Sequence, residues 1–246
     1  MSGRDLPWEG CLNVRDLGGL PVANGGLTRP GVVVRADNVR RLTDTGWESA
    51  RHFGVRRVVD LRFPGEEPHE PAAPADVEVV PVSLFGEHDP AQERAFDERV
   101  RDGDDIAGLF AEMYVGTLER NGDRIAAAVA AVADADGAVV VHCFAGKDRT
   151  GLVSALLLSL AGVPDDAVAA DYALSEPNVT RLFQDWVAAS ADADEHRLRT
   201  RVLQSPAAAM AGVLRWLRES AGGVDAYLRE AGVDAAVVRH LRARLT

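Results

Sequence analysis

From Val139 to Leu158 the chain reads VVVHCFAGKDRTGLVSALLL. A cysteine, a lysine, an aspartate and an arginine sit here between two apolar blocks, a mixture that a structural core has no use for. The valine run reads as a buried strand and the segment beyond Arg149 as an apolar helix. The residues between them form a tight loop at that helix's N-terminus, where backbone N–H groups are unpaired and the helix dipole adds positive potential. Such a nest suits a tetrahedral oxyanion. Gly146 lets the backbone turn sharply, and Arg149 can fork onto two oxygens of the bound group. Cys143, beside a helix N-terminus and cations, is expected to have its thiol pKa lowered from about 8.5 to ~3.5–7.5 and to be a thiolate. A thiolate beneath a phosphate ester is an in-line nucleophile, giving a cysteinyl-phosphate that water then hydrolyses.

The neighbours of Cys143 suggest supporting parts. His142 is placed to orient the thiol or help it ionise. The Thr150 hydroxyl can donate to the sulfur as it leaves. The departing alkoxide or phenolate needs a proton, and Asp148, inside the loop, is the nearest acid. Asp60, closing the strand VVDLR, is a second candidate, for which a loop-fixing hydrogen bond is the favoured role. The spacing of Cys143 to Arg149 is weak evidence alone; the strand before it, the glycine within it and the apolar helix after it give it weight. Competing readings are an inert buried cysteine, a phosphate-binding module without catalysis, and another Cys-based oxyanion enzyme such as a sulfur transferase or arsenate reductase.

The rest of the chain must position this loop. It has 246 residues, 47% of them hydrophobic, enough for one domain with a core that needs no staples. Strands are expected at Gly31–Asp37, Val55–Arg62, from Val77, and from Gly137 to Cys143. A helix between the first two shows a capping-box spacing from Thr45 to Glu48 and a closing Gly54. NGG at Asn24–Gly26 signals a turn. Helices follow from Ile106, with a break at Asn121–Gly122, and again from Thr150 to the C-terminus; Ser205 before Pro206 reads as an N-cap. The expected fold is α/β, a central mostly parallel sheet of about four to five strands flanked by helices, with a helical C-terminal half, as a single domain over 1–246. The acidic, Pro-rich FPGEEPHEPAAPAD reads as plain surface loop, and the charged segment at 85–105 as either solvated surface or a lid over a site.

The formal net charge of −11 argues against nonspecific nucleic-acid binding and makes a local basic site necessary for an anionic substrate. The opening residues lack an apolar leader and no run approaches the ~20 residues that span a bilayer, so the cytoplasm is the expected location, without integral membrane association. The two cysteines, Cys11 and Cys143, are expected to be free thiols. His52, His69, His88, His196 and His240 are scattered, so no metal is expected. Arg15 and Asp16 are expected to be structural, with a mutual pair near the pocket as the alternative, and Arg35–Asp37 to form a salt-bridged strand end. Trp186 and Trp216 fall at helical apolar spacings and read as core. The basic run Arg197–Arg201 reads as a solvated helix face.

HCFAGKDRTG resembles the signature loop of the protein tyrosine phosphatase superfamily, and more narrowly a bacterial group active on phosphotyrosine, phosphoserine/threonine and phosphoinositides. NVRDLGG (Asn13–Gly19), VVDLRFPGE, ADYALS (Ala170–Ser175) and GGVDAYLREAGV also fit that group, so the resemblance covers nearly the whole chain. It implies Cys143 as nucleophile, the loop Phe144, Ala145, Gly146, Lys147 and Arg149 as phosphate cradle, and Asp148 as general acid. It further implies that Lys147 matches a basic position linked to lipid phosphates, that substrates are phosphorylated proteins or phosphoinositides, and that no cofactor is needed.

Overall fold

The computed structural model describes residues 3–66, 71–103 and 105–246. Valine-rich segments form the sheet, since β-branched side chains pack well on a pleated surface. Its strands are β1 (Arg15–Asp16), β2 (Val33–Ala36), β3 (Val55–Asp60), β4 (Glu78–Pro81) and β5 (Ala138–His142), in the order β1-β2-β5-β3-β4. All pairings are parallel except β1 against β2. β5 is central and buried along its whole length, as an unbroken apolar run in a sheet covered on both faces must be. The register sets Asp60 level with His142, so the C-terminal ends of β3 and β5 open at the same edge. The four expected strands are present; the two-residue β1 carried no strand signal.

The alternation of side chains divides the core in two. Val33, Val59, Val139 and Val141 face one cluster, completed by α3 (Ile106–Arg120), α4 (Gly122–Ala133), α5 (Asp148–Ala161) and the C-terminal helices. Val34, Val58 and Val140 face the other, with Trp8, Cys11 and α1 (Asp44–Phe53). α5 is buried nearly all round; it is a core element rather than an amphipathic surface helix. α3 and α4 break at Asn121, as expected.

Two expected caps move. α1 is capped by Thr43, whose hydroxyl accepts from the Gly46 amide at 3.1 Å, and not by Thr45. The Thr43 amide is itself held by the Glu9 carbonyl at 3.1 Å, and Gly46 packs so close to that carbonyl that a Cβ there would lie 2.2 Å from its oxygen. Gly54 closes the helix at φ 101°. Ser205 does not cap α10 (Ala207–Glu219), which begins after Pro206 without a side-chain cap; the Ser205 amide instead donates to Glu176 Oε2 at 2.7 Å.

The expected helices after α5 are α6 (Asp165–Ala173), α7 (Ser175–Leu182), α8 (Gln184–Ala188), α9 (Ala193–Val202), α10, α11 (Val224–Glu230) and α12 (Ala235–Leu245). The charged segment at 85–105 contains α2 (Pro90–Asp102), with Asp89 as N-cap and Pro90 at the first turn. Trp216 is partly buried against the core. Trp186 corrects the core reading: it is 42% exposed, stacked edge-on to Phe183 and overlain by the Arg199 guanidinium. Its apolar spacing reflects a local stack on the short α8. Arg197 follows the solvated-face expectation, whereas Arg201 reaches the Gly103 carbonyl and ties α9 to the end of α2. No helix among the described residues is long and apolar enough to cross a membrane.

Candidate active site

The loop from Cys143 to Lys147 joins β5 to α5, and its shape follows from where its carbonyls go. The Phe144 oxygen accepts from the Asn38 amide at 3.2 Å. The Ala145 and Gly146 oxygens accept from Asn13 Nδ2 at 3.0 and 3.2 Å, and Gly146 also accepts from Arg35 Nη2 at 2.9 Å. The Lys147 oxygen takes the Gly151 amide at 2.8 Å. With its carbonyls bonded outward, the loop keeps its amides for the inside. Among the described residues, the amides of Phe144 through Arg149 donate to no protein acceptor. They form a nest of free donors at a helix N-terminus, suited to an oxyanion. Gly146, at φ 67°, is required twice over: the backbone is left-handed there, and a Cβ would lie 2.5 Å from the Ala36 carbonyl oxygen.

The donors that hold these carbonyls are themselves locked. Asp171 on α6 accepts from Arg4 at 2.8 Å, Arg15 at 3.1 Å and Arg35 at 2.7 Å. Arg15 also bonds Asn13 Oδ1 at 2.8 Å and the Asp171 carbonyl at 2.6 Å, and Ser175 Oγ receives both Arg15 and Arg35. Burial opposes the Asp171 charge, but the arginines outweigh it and hold the carboxyl below its usual range. Burial and the neighbouring Arg35 lower Arg15 to about 10, against the pull of Asp171. Arg15 therefore does not pair with Asp16. Successive strand residues face opposite ways, and Asp16 instead accepts the Gly18 and Gly31 amides. Arg35 is ion-paired as expected; Asp37 accepts the Leu12 and Asn13 amides, fixing the Asn13 backbone.

Cys143 is buried at the base of the nest and is a free thiol, as is Cys11. The two belong to the clusters on opposite faces of the sheet. Burial, reinforced by Asp37, pushes the Cys11 thiol far up, leaving it inert. His142 turns away from the role expected for it. Its Nδ1 faces the Cys143 carbonyl at 3.1 Å and its Nε2 lies 3.5 Å from Asp60 Oδ1. It braces the backbone at the cysteine. Asp60 matches its favoured role: it accepts the Arg62 amide at 3.1 Å and the Arg62 guanidinium at 2.9 and 2.8 Å. Burial raises its pKa, but His142 and Arg62 more than reverse that, so Asp60 stays ionised and is a poor proton donor. The Thr150 hydroxyl is buried without a hydrogen-bond partner, free to turn toward the sulfur.

Arg149 meets a partner that no sequence pattern announced. Its Nη1 and Nη2 donate to the two oxygens of Glu66 at 2.6 and 2.8 Å. Burial disfavours its charge, but Glu66, Cys143 and Asp148 reverse the effect and keep it cationic. The rings of Phe63 and Phe85 flank it at 5.2 and 5.7 Å. The loop from Phe63 is thus more than a plain connection at its first turn; residues 67–70, with His69, lie outside the described residues. Asp148, at the first position of α5, accepts from Tyr114 at 2.5 Å and keeps 30% of its side chain exposed. The Lys147 ammonium turns inward, donating to the Val202 carbonyl at 2.6 Å and lying 4.0 Å from the Phe110 ring centroid. Burial lowers its pKa, and it is not presented to an outside ligand.

The nest, the sulfur and the guanidinium together can hold a tetrahedral oxyanion against Cys143. A groove of about 720 Å3 lined by Arg57, Glu78, Ala131 and His240 lies elsewhere, alongside the edge strand. A tyrosine phosphatase family model matches residues 6–246. The chain belongs to the tyrosine phosphatase family. It is a phosphoric monoester hydrolase of that type, and the α/β architecture is consistent with the family. It is 30% identical to the triple specificity protein phosphatase PtpB of Mycobacterium tuberculosis, over 98% of both chains. It is 29% identical to a tyrosine-protein phosphatase of Nostoc commune, over 86% of this chain and 73% of that one. Within this family member, Tyr114 carried no sequence signal, while Glu66 and Tyr172 stood in quoted segments, VVDLRFPGE and ADYALS, that gave no hint of what their side chains bond. Asn13, Arg15, Arg35, Asp171 and Ser175 lay inside motifs that could be quoted but not joined.

Proposed function

We propose that this phosphatase hydrolyses phosphotyrosine monoesters through a cysteinyl-phosphate at Cys143. The observation that carries the proposal is the set of unpaired loop amides around Cys143, with the Arg149 guanidinium held beside them. The phosphoryl group rests in the nest of Phe144, Ala145, Gly146, Lys147 and Arg149 amides, with further donors from Arg149. Sγ attacks phosphorus in line, the S–P bond forms and the P–O bond to the leaving group breaks. Asp148 gives its proton to the departing oxygen and becomes a carboxylate. Water then attacks phosphorus, Asp148 takes a proton from it, and the sulfur leaves as thiolate with the Thr150 hydroxyl donating to it.

The chain acts as one catalytic domain over 1–246. Within it, α2 serves as fixed surface rather than a lid, a reading supported by its bidentate Arg99–Glu112 pair to α3 and its tie to α9. Phosphoserine, phosphothreonine and phosphoinositides are the wider substrate range. The inward-turned Lys147 lends no support to a lipid headgroup, and the name of the Mycobacterium tuberculosis relative favours more than one specificity. The test compares a phosphotyrosine peptide, a phosphoserine peptide and several phosphoinositides at equal concentration, with wild type and Cys143→Ser. Hydrolysis of the phosphotyrosine peptide, blocked by vanadate, indifferent to EDTA and lost in Cys143→Ser, is expected. Turnover that survives in Cys143→Ser sinks the proposal.

A further inference from the structure

We infer that Tyr114 is a positioning residue for proton transfer: it ties down one oxygen of Asp148 so that the other carries the proton to the leaving group. The inference rests on the proposed role of Asp148 as general acid and goes on to name the group that holds its carboxyl in place.

Tyr114 lies on α3, fully buried, and its hydroxyl donates to Asp148 Oδ1 at 2.5 Å. The same hydroxyl is 2.7 Å from that of Tyr172 on α6, and the two rings meet edge to face at 6.0 Å between centroids. With Tyr114 donating to the carboxylate, Tyr172 completes the chain by donating to Tyr114. The Lys147 ammonium faces the same oxygen at 3.4 Å. Among the described residues no partner bonds Asp148 Oδ2, although nearly a third of the side chain is open. The carboxyl is therefore asymmetric: an inner oxygen engaged by a phenol and an ammonium, an outer one left for a proton.

Among the described residues, the remaining charged and titratable groups near Asp148 are few. Arg149 follows it on α5, and its cation is favoured by Asp148, Glu66 and Cys143. Lys147 interacts with Asp148, with Glu176 on α7 and with Cys143. From α3 and α6 come only the two tyrosines. Burial, followed by the charge of Asp148, keeps the Tyr114 phenol protonated well above its ordinary range. Burial does the same for Tyr172. Tyr114 thus remains a donor at every pH where the enzyme is assayed.

A donor fixed on Oδ1 gains strength as negative charge develops on the carboxyl, because hydrogen bonds to ionised acceptors are about twice as strong as neutral ones. When the proton leaves Oδ2 for the ester oxygen, the P–O bond breaks and Asp148 becomes a carboxylate. The Tyr114 bond tightens in that step and so favours the transition state over the ground state. When the carboxylate later takes a proton from the attacking water, the bond relaxes. Tyr114 transfers no proton itself.

The experiment measures kcat against pH for the full chain with 4-nitrophenyl phosphate, whose leaving group needs little protonation, and phenyl phosphate, whose leaving group needs it. Tyr114→Phe is expected to move the basic limb upward by about one pH unit. It is also expected to slow phenyl phosphate about tenfold more than 4-nitrophenyl phosphate. Tyr114 replaced by 3-fluorotyrosine, a stronger donor of nearly the same shape, is expected to move the limb downward. It decides the matter alone if Tyr114→Phe fails to fold. Asp148→Asn serves as the control. If it leaves the basic limb and the leaving-group dependence as in wild type, the acid role fails and takes this inference with it. If it removes both while the Tyr114 variants slow the two substrates equally with the limb unmoved, Tyr114 is merely structural and only this inference is overturned.

Discussion

Replacing Asp171 by Asn removes the one charge that Arg4, Arg15 and Arg35 share beneath the loop from Cys143 to Lys147. Arg15 and Arg35 are each 1% exposed, so the variant leaves two buried guanidinium groups without their counter-ion. Breaking such a pair typically costs about 3–5 kcal/mol. The lower end applies here, because Arg15 keeps its bonds to the Asp171 carbonyl and to Asn13, and Arg35 keeps Gly146 and Ser175. A loss of ~3 kcal/mol is a large part of the ~5–15 kcal/mol that usually holds a domain together. Urea unfolding reads it out: with a slope of ~3 kcal/mol/M, at the upper end for small proteins, the midpoint falls by about 1 M at pH 7. The pH dependence supplies a second signature. The carboxyl of Asp171 titrates lower in the folded chain than in the unfolded one, so its stabilisation is complete above the unfolded value of about 3.9. It is lost as pH falls through the folded value. The gap between wild type and variant should hold from pH 7 to about pH 4 and narrow only below that. Since Arg35 also steadies the Gly146 carbonyl, kcat/KM of the folded variant should drop about tenfold. A midpoint shift below about 0.3 M at pH 7 would refute the reasoning, because it would mean that the arginines find full compensation elsewhere.

Three further outcomes follow from the same geometry. Glu66→Gln should weaken vanadate inhibition about tenfold, since the guanidinium loses the fork that aims it and small misplacements are expensive; unchanged inhibition would make the pair a surface contact. Gly146→Ala should reduce kcat/KM at least ~100-fold and lower the melting temperature, because the left-handed backbone alone costs ~1–2 kcal/mol with a Cβ and the Ala36 carbonyl blocks the way. A fully active variant in enzyme assay would show that the loop can open at that point. Thr150→Ala should slow turnover by about 10²-fold in the second half-reaction, seen as a larger burst of leaving group followed by a slower steady state. A smaller burst would place the defect in the first step instead.

The central strands and the loop were legible because they are local: β5 is an unbroken valine run, and the loop after Cys143 is bounded by it and by an apolar helix. Gly146 was readable from chain reversal alone, and its φ of 67° agrees. What the sequence hides is whatever depends on pairing across long separations. Asp171 lies 156 residues from Arg15 and 136 from Arg35, and no periodicity links them. Glu66 belongs to a stretch whose prolines and acids resemble any solvated loop. Tyr114 stands on a helix whose apolar spacing marks it as core, which it is, without indicating that its hydroxyl points at Asp148. Trp186 misled for the converse reason: helical spacing is evidence of burial only where a neighbouring element arrives to cover it. The cap of α1 falls at Thr43 and not Thr45, where the long-range Thr43 amide bond to the Glu9 carbonyl and the Gly46 amide bond to the Thr43 hydroxyl meet, a placement that a local capping pattern does not contain.

The most direct test of the account is to quench the reaction in acid within its first turnover, using a phosphorus-labelled aryl phosphate, and to map the label by peptide mass spectrometry. The account predicts one phosphoryl group on the peptide carrying Cys143, bound through sulfur, absent in Cys143→Ser, and more abundant in Thr150→Ala. Label on any other residue, or a fully active enzyme that never acquires label, would contradict it.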